Sequence, residues 1–327
     1  MKYNKDNRED LLKNVIKDVS LENYRDCKAC FQKIAEMYSE IWGFSVQYFL
    51  KARDILNQII NDDVTLFFGF TANLIATGLR GLIASFIRSG NVDVIVTTGG
   101  AIDHDIARSN GGKYYKGFFE MDDILLKKLE IHRLGNIFIP FENYGPIIER
   151  VTHETLLELL DKKNVWTPSE LLYEFGVRIK DEGSFLKAAA DMNVPVFSPG
   201  IIDSSFGTAL FTFNEANRAK KDAKFFKLDV LGDMSKIAEI VYQSDKLAAI
   251  ILGGGITKHH IIWWSQFKGG LDYAIYISTA VEWDGSLSGA RTREAVSWGK
   301  IKPSGMHVLI PGDATLVFPL LLLVSDV

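Results

Sequence analysis

The segment from Glu294 to Lys300, Glu-Ala-Val-Ser-Trp-Gly-Lys, has the clearest capacity for covalent chemistry in this sequence. A lysine amine attacks carbonyl and imine carbons only when it is unprotonated, and burial beside an aromatic ring favours the neutral amine. Trp298 offers such a ring, whose face can also stack on an alkylammonium group. Glu294 can pair with an amine. The segment therefore predicts a nucleophilic Lys300, with an ordinary surface lysine as the alternative.

A glycine run, Gly253 to Gly255, follows an apolar segment and precedes two histidines, His259 and His260. Glycine lets a ligand approach the backbone closely, and backbone N–H groups at a helix start can bind phosphate. The dinucleotide fingerprint GxGxxG is absent, so a plain strand–helix turn remains the alternative. The histidines titrate near neutral pH and can serve as acid or base, unless one faces the core and the other the solvent.

A second glycine turn lies in the segment 97–105, TTGGAIDHD. Its two carboxylates, Asp103 and Asp105, are predicted to accept hydrogen bonds from ribose hydroxyls.

Short apolar runs, separated by helical stretches, predict the elements that carry these groups. Continuous apolar strands indicate a parallel sheet that is covered on both faces, so we predict an α/β, doubly wound sheet. The predicted strands are 64–68, 92–96, 137–139, 194–197, 248–252, 273–277 and 308–310. The predicted crossover helices include 74–89, 169–180 and 234–244.

Polar, glycine-rich loops follow five of these strands. In parallel sheets the ligand lies beyond the carboxyl ends of the strands, so five such loops together favour a large polar ligand. The loops are 97–105, 198–207, 253–260, 278–289 and 311–315.

Composition restricts the class of protein. The chain has 327 residues and a net charge of −4, which disfavours general nucleic-acid binding. Cys27 and Cys30 form a CxxC without the further Cys or His pair that zinc needs, so we expect no metal and a reducing compartment, by default the cytoplasm. The charged first residues predict no signal peptide. The apolar run 316–324 is shorter than the roughly 20 residues of a membrane helix and predicts a buried final helix.

The region up to residue 62 is predicted to be helical. Its apolar residues recur at three- and four-residue steps, which is the spacing of one helix face. These residues are Phe31, Ile34, Tyr38, Ile41 and Trp42. We therefore predict a helical N-terminal extension, 1–62, and a catalytic domain, 63–327.

Seven segments, in order from residue 71 to residue 321, resemble the deoxyhypusine synthase family. They are TANLIATGLRG (71–81), VDVIVTTGGAIDHD (92–105), PGIIDSSFG (199–207), ILGGGITKHH (251–260), YAIYISTAVEWDGSLSGA (273–290), EAVSWGK (294–300) and GDATLVFPLL (312–321). The combination of GGGxxKHH with AVSWGK is highly specific. The resemblance covers the chain from about residue 65 to its end.

The resemblance implies a Rossmann-like, NAD-binding domain and a homotetramer with active sites between paired subunits. In the family, NAD takes hydride from spermidine, 1,3-diaminopropane leaves, and the aminobutyl group passes through a lysine imine. The acceptor is a lysine of the precursor of the hypusine-carrying translation initiation factor 5A. No membrane or nucleic-acid partner is implied.

The motif positions imply roles for individual residues. Lys300 matches the covalent lysine and His259 the catalytic histidine. Residues matching the polyamine site are Asp103, His104, Gly285, Ser286, Glu294 and Trp298. Residues matching the NAD site are Ala72, Asn73, Leu74, Thr98, Gly99, Gly100, Asp203, Gly254, Thr279, Ala280, Asp284, Asp313 and Ala314.

The chain departs from the family at three polyamine positions, where His104, Thr208 and Leu287 stand in place of acids. A buried ammonium without a carboxylate partner is unfavourable. One hypothesis is that Glu282, Asp103 and Glu294 replace those acids. Another is that the enzyme is similar to homospermidine synthase and uses a small amine.

Two further classes follow from an NAD-binding sheet. One is a non-catalytic, NAD-binding paralogue, which has no chemical need for an intact AVSWGK. The other is a zinc-dependent NAD deacylase, which two cysteines exclude because that class needs four.

Overall fold

The computed structural model describes residues 7–218 and 224–327. The α-helices are α1 Arg8–Leu11, α2 Lys28–Ile41, α3 Phe44–Asn61, α4 Ala72–Ile75, α5 Leu79–Arg88, α6 Gly99–Ser109, α7 Asp123–Lys128, α8 Gly145–Leu159, α9 Pro168–Gly176, α10 Phe185–Asp191, α11 Ser205–Arg218, α12 Val230–Gln243, α13 Gly255–Ser265, α14 Thr292–Ser297 and α15 Ala314–Leu323. The strands are β1 Thr65–Phe70, β2 Val94–Thr97, β3 Tyr115–Lys116, β4 Ile131–Leu134, β5 Ile137–Pro140, β6 Val165–Trp166, β7 Val196–Phe197, β8 Lys227–Leu228, β9 Leu247–Leu252, β10 Leu271–Ser278 and β11 Ile301–Pro311. Short 3-10 helices cover Leu21–Cys27, Phe141–Asn143, Gln266–Lys268 and Glu282–Asp284.

A six-stranded sheet, in the order β11-β10-β9-β1-β2-β7, forms the centre, and its paired strands are all parallel. Successive side chains along each strand point to opposite faces of the sheet, where they pack in two separate hydrophobic cores. Phe68 packs with α3, α5 and α15 on one face, whereas Phe67 packs with α12 and α13 on the other. The predicted doubly wound α/β sheet with helices on both faces is confirmed.

The strand order reverses between β1 and β9. Numbered along the chain, the six strands read 3-2-1-4-5-6 from β7 to β11, which is the order of dinucleotide-binding sheets. The connections after β1 and after β9 leave toward opposite edges and open a crevice between them. That crevice is where such sheets bind their ligands.

The predicted strand 137–139 is a strand, but its place in the parallel sheet is wrong. It lies in β5, which pairs antiparallel with β3 and β4. Only two residues, Gly135 and Asn136, separate β4 from β5, and Gly135 has φ +59°. Two residues can join antiparallel strands but cannot cross over to a parallel neighbour.

The final helix, α15, is only partly buried. Phe318 and Leu321 are fully buried, but Leu316 is 74% exposed. The prediction of a buried final helix is therefore correct for one face. Within residues 7–218 and 224–327, every helix is too short or too polar to cross a membrane.

The described part of the N-terminal region contains helices α1, α2 and α3. The predicted apolar face of α2 is wrong at its end, because Ile41 and Trp42 are each 58% exposed. The helix ends at Ile41, and Trp42 takes φ +46°, so its side chain leaves that face. Helix α3 packs in the core of the sheet. The division of the chain at residue 62 remains a prediction.

A buried charge network fixes α6, the helix that begins at the crevice. The guanidinium of Arg80, 1% exposed, donates to Asp105 at 2.6 Å, Asp18 at 2.6 Å and Asp181 at 2.8 Å. Asp18 also pairs with Arg108, which donates to the carbonyls of Ile75 and Thr77 behind α4. The network thus joins the N-terminal segment to the two helices at the crevice.

Replacement of Arg80 with Met is expected to reduce the free energy of unfolding by about 3–5 kcal/mol, because Asp105 is left charged and buried. Urea denaturation measures this loss. Arg133→Met is the matched control, since Arg133 pairs with Asp123 at the surface, and its loss is expected to be much smaller than that of Arg80→Met. Equal losses in the two variants would contradict the role given to the network.

Candidate active site

A cavity of about 370 Å³ lies at the reversal point of the sheet. It is formed by the segments that follow β1, β2, β9, β10 and β11. The lining residues are Thr71, Asn73, Leu74, Thr98, Gly253, Gly254, Gly255, Ile256, Ile277, Ser278, Thr279, Ala280, Ser288, Gly312, Asp313 and Ala314. The cavity therefore brings together residues that are far apart in the chain and that were predicted to hold the cofactor.

The glycine turn forms one wall of this cavity because a side chain cannot fit there. A Cβ atom on Gly254 would lie 2.5 Å from the Cα of Ser288. The Ser288 hydroxyl accepts a hydrogen bond from the Gly255 amide at 3.0 Å. The loop that contains Ser288 is therefore packed directly on the backbone that begins α13.

The other wall contains the hydroxyl of Thr98. Thr98 Oγ1 is buried, lines the cavity and makes no hydrogen bond to any residue in 7–218 or 224–327. Thr98 is also the N-cap residue of α6, and its side chain caps no backbone amide. Since a buried polar atom normally has a partner, this hydroxyl indicates a polar ligand in the cavity.

Several predicted cofactor residues do not line the cavity. Ala72 and Gly100 lie next to each other, with a Cβ on Gly100 only 3.0 Å from the Ala72 methyl group. Gly99 packs against Ser204. Asp203 and Asp284 are exposed, and hydrogen bonds from Ser286 lower the pKa of Asp284. The cofactor role of these residues remains a prediction.

Lys300 directly precedes β11, at the end of that strand opposite the cavity-lining Gly312 and Asp313, and is 8% exposed. Its Nζ atom is 5.2 Å from the ring centre of Trp298 and 5.9 Å from that of Trp263. Its carbonyl accepts hydrogen bonds from Leu271 N at 3.0 Å and from Ser265 Oγ at 2.9 Å. The backbone at this position is therefore fixed while the amine faces two indole rings.

A left-handed turn places this lysine. Helix α14 ends at Ser297, and Gly299 takes φ +68°. The amide of Gly299 donates to Val296 O at 3.0 Å, and that of Lys300 donates to Ala295 O at 2.9 Å. This is a Schellman motif, which prefers glycine at the left-handed position. It turns the chain from α14 straight into β11.

His259 approaches the lysine from α13. Burial and the charge of Lys300 lower the pKa of His259. Its ring stacks on Trp263, four residues later, with centroids 5.7 Å apart and an angle of 18°. His260 lies on another face of the helix, where burial, and then His259, lower its pKa to about 4. Of these two histidines, His259 is the one on which the charge of Lys300 acts.

Asp103 and Asp105 are committed to contacts within the chain. Asp103 accepts from Phe206 N at 2.7 Å, Ser205 N at 2.9 Å and Tyr144 OH at 2.9 Å, so it holds the start of α11. Asp105 accepts from Arg80. Neither carboxylate lines the cavity, so the structure gives no support to the predicted ribose contact. The substrate role predicted for Asp103 remains a prediction.

His104 is buried between two tyrosines. Its Nδ1 atom is 2.8 Å from Tyr114 OH, and its ring lies 5.3 Å from that of Tyr144. Burial, helped by the charge of Arg108, lowers the pKa of His104 to about 4. The ring is therefore neutral at pH 7. At the other two departures from the family pattern, Thr208 is exposed and Leu287 packs against the α12–α13 core.

The remaining predicted substrate residues lie on or beside the loop 285–290. Gly285 has φ +72°, and Ser286 donates its amide to Asp284. Glu294 is exposed on α14. Glu282, which was considered as a replacement acid, pairs with Arg291 and Arg293.

Two residues that sequence reasoning missed are Lys258 and Trp263. Lys258 is 1% exposed, and its amine donates to Leu287 O at 2.8 Å and to Ala290 O at 2.7 Å. Burial lowers the pKa of Lys258 to about 8, although Glu294 acts in the opposite direction. Lys258 thus holds the loop 285–290 against α13. Within the described ranges, no group of three or more His, Cys, Asp and Glu side chains could hold a metal ion.

Replacement of Gly299 with Ala is expected to reduce the free energy of unfolding by about 1 kcal/mol, because alanine disfavours the left-handed turn. It should also increase the rate at which an amine reagent labels Lys300, measured by peptide mass spectrometry. Gly111→Ala is the control, since Gly111 also has positive φ and open space around it but lies away from Lys300. If Lys300 were labelled equally in both variants and the parent, the turn would not set its burial.

His104 should make stability fall as the pH is lowered. Its folded-state pKa, about 4, lies below the usual value of 6.5, so its contribution is present above pH 6.5 and is lost as the pH falls through 4. Complete loss of this contribution lowers the free energy of unfolding by about 3 kcal/mol. Denaturation curves between pH 7 and pH 4.5 should show a flatter dependence for His104→Gln than for the parent. Parallel curves would contradict the buried, neutral histidine.

Comparison with known proteins identifies the family. The deoxyhypusine synthase family model matches residues 33–325. The chain is 53% identical over 314 residues to a Sulfolobus acidocaldarius protein and 50% identical over 315 residues to an Ignicoccus hospitalis protein, both described as "Probable deoxyhypusine synthase". These alignments cover 96% of this chain and 97% and 96% of the relatives.

A crystal structure assigned as a deoxyhypusine synthase from Entamoeba histolytica shares the fold. Its TM-score is 0.60 at 22% identity, and the match covers 95% of this chain and 96% of that one. The family match and the relatives at about half identity over nearly the whole length establish the family. The chain belongs to the deoxyhypusine synthase family, whose members are transferases of hypusine biosynthesis.

Proposed function

We propose that this enzyme transfers the aminobutyl group of spermidine through an imine on Lys300 to a lysine of the precursor of translation initiation factor 5A, with NAD as cofactor. The observation that carries the proposal is the position of the Lys300 amine. It is largely buried, lies between two indole rings and is next to a histidine that can exchange protons with it.

Three features of the cavity support a bound dinucleotide. The Thr98 hydroxyl has no hydrogen-bond partner among the described residues, the turn at Gly254 leaves no room for a side chain, and Asp313 lies at the start of α15. We propose that Asn73, Thr98, Thr279 and Asp313, with the glycine backbone, hold NAD there. When bound, NAD supplies the oxidation that converts the amine of spermidine to an imine and the reduction that ends the reaction.

Lys300 is the carrier in this proposal. Its neutral amine adds to the carbon of the oxidised spermidine, the bond from that carbon to the departing nitrogen breaks, and 1,3-diaminopropane leaves with the proton that Lys300 loses. The aminobutyl group is then bound to Lys300 as an imine. The acceptor lysine adds to the same carbon, and the nitrogen of Lys300 leaves as a free amine.

His259 is the proposed proton carrier for these two exchanges. The ring is partly buried beside Lys300, and the resulting lower pKa leaves it able to accept a proton near pH 7. It takes the proton that the attacking amine loses and returns it to the departing amine.

We also propose a homotetramer with active sites at subunit interfaces. The large rings next to the site support this proposal, because Trp298 is 65% exposed and Trp283 is 85% exposed. A second subunit would cover them. Cys27 and Cys30 are free, which accords with a reducing compartment, and we propose the cytoplasm.

Borohydride trapping tests the proposal. The parent enzyme, given NAD and labelled spermidine, should bind label at Lys300 after reduction, as peptide mass spectrometry would show. Lys300→Ala should trap no label and lose transfer activity by at least about a thousandfold, because it lacks the nucleophile. Lys302→Ala is the matched control: Lys302 lies on the same strand but pairs with Asp272 at 2.8 Å, and its variant should trap label normally.

Absence of label on the parent's Lys300 would reject the covalent mechanism. Equal absence of transfer activity in the parent and in Lys300→Ala would instead favour the non-catalytic, NAD-binding paralogue.

A second candidate function is an aminobutyl transfer to a small amine, as in homospermidine synthase. The observation that favours it is the absence of acids at His104, Thr208 and Leu287. The same assay distinguishes the two acceptors when putrescine replaces the precursor protein. Faster turnover with putrescine than with the precursor protein would support the small-amine function.

A further inference from the structure

We infer that Trp263 positions and selects the group carried by Lys300, a role that rests on the proposed function. Together with Trp298 it forms an aromatic slot, defined here as the space between these two indole rings that contains the Lys300 amine. Trp263 also holds the ring of His259. Trp263 is therefore a positioning residue for both Lys300 and His259.

The two rings of the slot come from different helices. Trp298 caps α14 and reaches Lys300 along the chain, two residues before it. Trp263 lies on α13 and reaches Lys300 across the fold, with its ring centre 5.9 Å from Nζ. A cation on this nitrogen, such as the protonated imine, lies within cation–π distance of both rings. Trp263 therefore contributes to stabilising a positive charge on this nitrogen in the covalent form.

The second contact of Trp263 is with His259, one helical turn earlier. The two rings are nearly parallel, at 18° and 5.7 Å. The stacking covers one face of the imidazole and sets its plane relative to Lys300. The charge of Lys300, which precedes β11, lowers the pKa of His259 after burial does, and His259 in turn lowers the pKa of His260 on the same helix.

The adjacent Trp264 shows that this arrangement is specific to one of two neighbouring tryptophans. Trp264 is 8% exposed and belongs to the core beneath α13, whereas Trp263 is 43% exposed. A large aromatic ring that is left open beside a buried amine can contact a ligand. An unbranched alkylammonium chain suits such a ring, since its methylene groups and its charge both bind an indole face.

The test compares Trp263→Leu, Trp263→Phe and Trp264→Phe in the full enzyme with NAD and spermidine. Trp263→Leu should raise KM for spermidine about tenfold and reduce the borohydride-trapped adduct, because one wall of the slot is lost. Trp263→Phe, which keeps an aromatic ring, should have a KM for spermidine and an amount of trapped adduct closer to those of the parent. Trp264→Phe should leave KM and trapping unchanged, even where it lowers the thermal midpoint.

The pH dependence of kcat/KM in Trp263→Leu is a second measurement, and a loss of packing alone would leave it unchanged. Without the indole, His259 is exposed to more water, so the acidic limb of the kcat/KM profile should move upward, toward the usual histidine pKa of about 6.5. Trp264→Phe should keep the parent profile. If Trp263→Leu is too unstable to assay, Trp263→Phe is used on its own to test the role of Trp263. Its KM for spermidine is expected to be about threefold that of the parent.

The outcomes separate this inference from the proposed function. If the parent enzyme forms no adduct on Lys300, the proposed function fails. If the parent forms the adduct but the Trp263 variants keep the parent's KM, trapping and pH profile, only the role of Trp263 fails. Equal changes in Trp263→Leu and Trp264→Phe would also overturn it, because they would indicate a loss of packing in α13.

Discussion

The proposed active site depends on one constraint: the amine of Lys300 must be kept out of water and close to the indole rings of Trp263 and Trp298. Backbone hydrogen bonds achieve this. The turn at Gly299 takes the chain from α14 into β11 in one step, and Ser265 and Leu271 hold the carbonyl of Lys300. Because the backbone is fixed, the short distance from the amine to each indole ring follows from the fold and needs no ion pair.

Helix α13 connects this lysine with the cofactor cavity. It begins at Gly255, which lines the cavity, and His259 follows about 6 Å along the axis. Trp263 lies about 6 Å further. One helix therefore sets the spacing between the cavity, the proposed proton carrier and the aromatic slot. Lys258, on the same helix, fixes the loop 285–290 that closes the cavity.

Much of the fold could be predicted from the sequence because its central strands are buried on both faces. Such strands are continuous apolar runs, and the predicted 248–252 corresponds to β9, Leu247–Leu252. Strands of two residues, such as β3 and β6, are too short to show any periodicity. Strand order was also not predictable, since it depends on which connection crosses which face of the sheet.

The site was predictable only in part. The glycine turn and the AVSWGK segment are visible in the sequence because their residue types are unusual together. Asp103 appeared to be a ligand because it follows a strand, but α6 begins at Gly99, so residue 103 lies one turn into the helix and faces inward. Trp263 lies in an apolar helix and has the sequence pattern of a core residue. Its function depends on a contact across the fold, which spacing along the chain does not show.

A crystal structure of the enzyme with bound NAD is the most direct test of the central claim. In the proposed reaction, hydride passes between the nicotinamide C4 atom and the same carbon that Lys300 attacks, and reacting atoms lie about 3–3.5 Å apart. The account therefore predicts a distance of about 5 Å from C4 to the Lys300 Nζ atom of the same or an adjoining subunit. A nicotinamide ring more than about 10 Å from every Lys300 amine would contradict the account.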